Sequence, residues 1–141
     1  MRGVLVDAGP LLAALDRGDP RHGWAVAALA ATPRITTVWP AVTEASHFLG
    51  RRGLSPAAGL LKALAGRGIG TVSMDQDDFG ALAHLMNQYD DLPMDLADAA
   101  LVHAYHRDGY DAVMTMDVKD FSVYRVAGKP LRLITPSDLR P

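Results

Sequence analysis

The sequence predicts an α/β domain of three layers, a central and mainly parallel sheet between two layers of helices. Three observations predict it. Short apolar or β-branched runs alternate with longer helical stretches along most of the chain, the order that gives parallel sheets covered on both faces. Proline and glycine fall where those stretches begin and end. Small residues are abundant: 49% of the chain is hydrophobic but only 6% aromatic, a composition for close helix-on-sheet packing rather than a β-sandwich.

The elements follow in order. Gly3 to Val6 is a short apolar run ending at Asp7, and reads as a strand. Ala8-Gly9-Pro10 reads as a tight turn, and Pro10 opens a helix over Leu11–Leu15. Asp16 to Pro20 is a turn cluster, in which Asp19 caps and Pro20 starts a second helix that Pro33 ends. Arg34 to Trp39 is β-branched and predicts a strand. Pro40 begins a helix through Leu49. Ser55 and Pro56 supply a cap and a first-turn proline for a helix over Ala57–Ala65. The glycines of Gly66 to Gly70 follow a helix and precede the strand Thr71–Ser73. That placement reads as a connection, not as a phosphate cradle, which needs its amides at a helix N-terminus. Asp75 caps a long helix from Gln76 to about Tyr89. Met94 to Arg107 is the next helix, with Pro93 ahead of it, Asp95 as its cap and Gly109 at its end. A strand over Asp111–Met116, a helical turn over Asp120–Tyr124 and a last strand over Leu131–Ile134 complete the chain.

At 141 residues the chain is expected to be a single domain, residues 1–141. The chain holds no cysteine, which excludes disulfides and thiolate metal sites and is compatible with the cytoplasm. The apolar run of Met1 to Asp7 is too short for a signal peptide, and no stretch approaches the ~18 apolar residues of a membrane span. The formal charge is −2, so any binding of nucleic acid must rest on a local patch.

Parallel sheets place their sites beyond the carboxyl ends of the strands. Asp7 follows the first strand. Asp117 follows the Asp111–Met116 strand, with Thr115 just before it. Glu44 lies early in the helix after the Arg34–Trp39 strand. Asp98 lies one turn inside the Met94–Arg107 helix, which runs antiparallel to the strand it feeds, so its first turn meets the same edge. Singly, Asp7 and Asp117 read equally well as turn residues, and Glu44 and Asp98 as solvated helical acids. Together, four carboxylates at one edge repel one another and lose solvent unless a cation neutralises them. Oxygen-only donors select a hard ion, Mg²⁺ or Mn²⁺. Such a centre suits phosphodiester hydrolysis, with the acids as ligands or water-positioning bases.

Four segments carry a resemblance. They are VLVDAGPLLAALDRGD at the start, TTVWPAVTEASHFL with Glu44, PMDLADAALVHAYHR with Asp98, and VMTMDVKDFSVYR with Thr115, Asp117, Asp120 and Phe121. In this order and spacing the chain resembles the PIN-domain ribonucleases, and more narrowly the VapC-type toxins of bacterial toxin–antitoxin pairs. The resemblance implies a PIN-like α/β/α fold and a metal-dependent endoribonuclease, often a homodimer and bound by an antitoxin in the active-site groove. It implies Asp7, Glu44, Asp98 and Asp117 as the acidic quartet, Asp95 and Asp120 as accompanying acids, and Thr115 as a hydroxyl beside the last acid.

RNA needs positive charge near this edge, and Arg17, Arg51, Arg52, Lys119 and Arg125 are the candidates. Arg51 and Arg52 read better as a basic pair at a helix C-terminus. Trp24, Trp39 and Tyr124 are candidates for base stacking, although burial is the commoner fate of the tryptophans. His103 and His106 share a helix face but lack a third ligand for zinc. Two rivals remain. A haloacid-dehalogenase-like phosphotransferase would use Asp7 as nucleophile, but the position of its second acid is Gly9. A PIN-like module that binds RNA or protein without catalysis is disfavoured by the intact acids.

Overall fold

The computed structural model describes residues 3–54, 57–92 and 94–139. The sequence-based caps at Ser55, Pro56 and Pro93 lie outside them.

Five strands form one sheet: β1 (Val4–Val6), β2 (Ile35–Thr37), β3 (Gly70–Thr71), β4 (Ala112–Met114) and β7 (Leu133–Ile134). Their order is β3-β2-β1-β4-β7, and every pairing is parallel. A second, two-stranded sheet pairs β5 (Arg125–Val126) with β6 (Lys129–Pro130), antiparallel. Seven α-helices accompany them among the described residues: α1 (Ala8–Leu15), α2 (His22–Ala31), α3 (Trp39–Arg51), α4 (Ala57–Gly66), α5 (Phe79–Gln88), α6 (Leu96–Asp108) and α7 (Val118–Phe121).

The centre of the sheet forms because β1 and β4 are apolar on both faces. Val4, Leu5, Val6, Ala112, Val113 and Met114 are all buried, the pattern of a strand covered by helices on either side. Gly3 sets the lower end of β1. Its φ is +115°, and a Cβ there would lie 2.9 Å from the Arg34 carbonyl oxygen, so only glycine fits. α6 packs between α5, α3 and β4, and it buries Ala97, Ala99, Ala100, Leu101, Val102 and Ala104.

The strand order places the site. From β1 the chain winds outward to β2 and β3, then returns to lay β4 on the other side of β1 and β7 beyond it. The winding reverses between β1 and β4, and such a switch leaves a crevice at the carboxyl ends of the two strands. Leu5 pairs with Val113 and Val6 with Met114, so the residues that follow, Asp7 and Thr115, leave the sheet side by side.

Several boundaries differ from the sequence reading. α1 starts at Ala8, with no turn between it and β1, because Asp7 itself is the cap and Pro10 falls in the first turn, where its missing N–H is not needed. α2 starts at His22 rather than Pro20, because the Asp19 carboxylate accepts the Arg21 amide at 2.8 Å and closes a turn first. Trp39 belongs to α3, not to β2. The segment after Asp75 opens as a 3-10 turn, Gln76–Asp78, before α5; a reciprocal capping box between Asp75 and Asp78 tightens it. The helical turn expected over Asp120–Tyr124 lies at Val118–Phe121, begun by the Asp117 cap. The β5–β6 hairpin had no counterpart in the sequence reading.

Candidate metal centre at the carboxyl edge

Each acid is held by the start of an element. Asp7 caps α1: its Oδ1 accepts the Ala8 amide at 2.8 Å, and its Oδ2 accepts the Thr115 hydroxyl at 2.9 Å. The Thr115 oxygen in turn accepts the Asp117 amide at 3.0 Å. Thr115 is fully buried, so its single hydroxyl ties the ends of β1 and β4 together and fixes two acids against each other. Asp117 caps α7 by accepting the Asp120 amide at 3.1 Å. Asp95 caps α6 by accepting the Asp98 amide at 2.8 Å. Asp98, one turn further on, is buried and accepts the Tyr124 phenol at 2.7 Å.

Asp98, Asp117 and Asp120 each offer a carboxylate oxygen within 4.8 Å of the other two. Asp7 and Asp95 lie near enough to act on the charge of Asp98, and Asp117 acts in the same way on Glu44. Burial pushes the Asp98 carboxyl up to about 8, and Asp95, Asp7 and Asp117 push the same way while the Tyr124 hydrogen bond opposes them. Burial raises Asp7 to about 6 against its two hydrogen bonds. Partial burial, then Asp7, Asp95 and Asp117, raise Glu44 to about 6. Asp120 is raised by burial and by Asp117, with Lys119 opposing. These acids therefore share a field that favours protons, or any other cation, over open carboxylates. In the trio the donors are hard oxygens at ligand spacing. They fit Mg²⁺ or Mn²⁺ on the chemistry of the set.

The quartet expected from the sequence thus converges, but unevenly. Asp120, expected as an accompanying acid, sits in the trio at ligand spacing, whereas Asp7 and Glu44 stand around it. Asp95 is a cap, as expected. Asp95→Ala is expected to lower stability by ~0.5–2 kcal/mol, the value of a lost N-cap, with a smaller loss of ion affinity than any change in the trio. Denaturant unfolding and Mg²⁺ calorimetry check both halves. Ion binding abolished at unchanged stability would place Asp95 in the first coordination sphere.

The basic candidates divide. The Arg52 guanidinium bridges Asp16 at 2.6 Å and Asp19 at 2.9 Å, so it locks the end of α3 to the turn after α1. Arg125 donates to the carbonyls of Ser122, Val123 and Tyr124 at 2.7, 3.1 and 2.9 Å, so it braces a turn. Lys119 is exposed beside Asp120, and Arg17 and Arg51 are exposed. Trp24 is half-buried against the core. Trp39 departs from the expectation of burial: it is 57% exposed and lines a groove of about 560 Å³ with Glu44, Asp95 and Leu96. Tyr124, read as a stacking candidate, is fully buried. His103 meets Asp78 at 2.9 Å, and among the described residues no group of histidines reaches ligand spacing. A cavity of about 630 Å³ at the opposite edge, lined by Arg34 and Arg67 among others, holds none of the six acids.

The architecture, a parallel sheet flanked by helices with acids at the switch between β1 and β4, is the PIN-like α/β/α fold. The solved structure of Mycobacterium tuberculosis VapC20, described as a Sarcin-Ricin loop cleaving toxin, is similar to it. The two share 22% identity with a TM-score of 0.67, over 78% of this chain and 86% of that one. No protein-family model matches the chain, and no curated protein matches it.

Proposed function

We propose that the protein is a metal-dependent endoribonuclease that hydrolyses RNA phosphodiester bonds, and the toxin of a toxin–antitoxin pair. The observation that carries the reading is the trio of Asp98, Asp117 and Asp120, three carboxylates at ligand spacing beside the buried Asp7 and half-buried Glu44. The fold likeness to VapC20, a loop-cleaving toxin by its description, supports the class of reaction. A divalent ion bound there would polarise the attacked phosphate and lower the pKa of a coordinated water.

The chain's own residues do the rest. Asp98, Asp117 and Asp120 would hold the ion. Glu44, half-buried among these acids, would accept a proton from the attacking water. Thr115 keeps Asp7 and Asp117 in register. Lys119, exposed next to Asp120, meets an RNA phosphate and offsets the acidic edge. Gly9 stands where a haloacid-dehalogenase-like phosphotransferase would carry its second acid, which weighs against that reading. A homodimer and an antitoxin partner belong to the same proposal. The groove past Trp39 and Leu96 towards Glu44 and Asp95 offers the antitoxin apolar contact and a place for a basic side chain. No helix among the described residues is long and apolar enough to cross a membrane, and we place the protein in the cytoplasm with its RNA substrate.

The test is cleavage of RNA by the purified protein. Excess chelator is expected to abolish cleavage, and Mg²⁺ or Mn²⁺ to restore it. Full cleavage in chelator, or none with either ion on any RNA, would contradict the proposal.

A further inference from the structure

Tyr124 lies outside the acidic sequence pattern, and its surroundings hold it firmly. It is fully buried. Its ring packs edge-on against Tyr89, with centroids 5.1 Å apart, and against Phe121 at 5.2 Å. The turn that carries it is braced twice. The Arg125 guanidinium gathers the carbonyls of Ser122, Val123 and Tyr124. The Arg125 amide donates to the Tyr89 hydroxyl at 3.0 Å, which joins that turn to the residue just after α5. Rings and backbone thus fix the phenol before it meets Asp98.

We infer that Tyr124 is a positioning residue for the ion site, holding the Asp98 carboxylate in the orientation that faces Asp117 and Asp120. The inference rests on the metal-centre reading above and deepens it. Its geometry is direct: the Tyr124 hydroxyl donates to Asp98 Oδ2 at 2.7 Å, in a buried setting where such a bond is strong. A phenol keeps its proton at neutral pH, so it remains a donor. One oxygen of Asp98 is committed to the phenol, and the carboxylate loses its rotation about χ2. Ligands held this way by outer partners owe them much of their ion affinity. Tyr124 shares the short segment after β4 with Asp117 and Asp120, whereas Asp98 comes from α6. The hydrogen bond therefore also fixes α6 to the segment that carries the other two donors.

The test is Mn²⁺ affinity of the full chain, measured by electron paramagnetic resonance, for wild type, Tyr124→Phe and Tyr105→Phe. Tyr124→Phe keeps both ring packings and removes only the hydroxyl. It is expected to weaken Mn²⁺ binding about 10–100-fold and to lose RNA cleavage in a way that rising Mn²⁺ restores. Tyr105→Phe removes a phenol from the far part of α6, where it accepts only a long 3.4 Å contact from the Arg132 amide. It is expected to bind like wild type. Unchanged Mn²⁺ affinity in folded Tyr124→Phe overturns the inference, and so does an equal loss in both variants. Wild type that binds no Mn²⁺ overturns the metal-centre reading instead.

A second measurement stands if Tyr124→Phe does not fold. With tyrosines labelled at Cζ with carbon-13, wild type is expected to give one resonance for each of its four tyrosines. The Tyr124 resonance is expected to move as Mg²⁺ fills the site, while that of Tyr105 stays. Mg²⁺ binding that leaves Tyr124 unmoved overturns the inference.

Discussion

Asp98→Asn is expected to lower RNA cleavage by at least about 100-fold, since loss of a direct ligand should cost more than the 10–100-fold typical of an outer partner. The same substitution is expected to make the metal-free protein more stable. Asn keeps the shape of the side chain and an oxygen that accepts the Tyr124 hydroxyl, but carries no charge. At pH 7 the wild-type carboxyl, pushed to about 8 by burial and by neighbouring acids, must either hold a proton or stand ionised in an apolar and acidic setting. Each tenfold bias in proton affinity is worth about 1.4 kcal/mol, so the relief is on the order of 1–4 kcal/mol. A function–stability trade of this kind marks a site kept under strain for its ligand. Thermal unfolding in chelator and cleavage in Mg²⁺ read the two effects. Asp98→Asn that melts below wild type and cleaves at the wild-type rate would remove Asp98 from the site.

The metal-free protein is expected to lose stability as pH rises from about 5 to about 8. Asp98 at about 8, Asp7 at about 6 and Glu44 at about 6 all bind protons more tightly folded than unfolded. Their contribution is complete below the unfolded carboxylate range, near pH 4. It is lost as pH passes through the folded values, because the unfolded chain releases protons that the fold retains. Asp78 works in the opposite direction. His103, the amide of Asp75 and Arg107 hold its carboxyl well below the usual range, so its contribution is present above pH 4 and lost on acidification. The falling limb between pH 5 and 8 therefore belongs to the acidic edge. Saturating Mg²⁺ should remove that limb, since the ion takes the place of the protons, and its affinity should rise across the same window. Melting curves at several pH values, in chelator and in Mg²⁺, check this. A metal-free melting temperature that climbs from pH 5 to 8 would contradict it.

Much of the architecture was legible because parallel α/β chains advertise themselves. Buried strands such as Val4–Val6 and Ala112–Met114 are short apolar runs, and the helices between them are bounded by Pro40, Asp95 and Gly109. The acids were legible for a topological reason: in a parallel sheet, the residue after a strand and the first turn of a helix meet at one edge. What was not legible depends on three-dimensional contact. Pro10 looked like a break, but the first turn of a helix has amides to spare. The β5–β6 hairpin hid because its strands are two residues long. Its turn also puts Ala127 at φ +51° before Gly128 at +77°, where Asn or Asp ahead of glycine is the recognisable signal. The charge of Arg125 suggested RNA, yet it is spent on carbonyls of its own turn, and Arg52, read better as a helix-end residue, is spent on Asp16 and Asp19. Tyr124 escaped because nothing in its spacing points 26 residues back to Asp98.

Asp98, Asp117 and Asp120 are proposed to hold a catalytic cation at the carboxyl edge. Anomalous scattering from crystals of the protein soaked in Mn²⁺ reads the position of that ion. A peak is expected bonded to oxygens of Asp98, Asp117 and Asp120, with Asp7 and Glu44 beside it, and is expected to disappear in Asp98→Asn. Mn²⁺ bound elsewhere in a protein that cleaves RNA, with this trio empty, would contradict it.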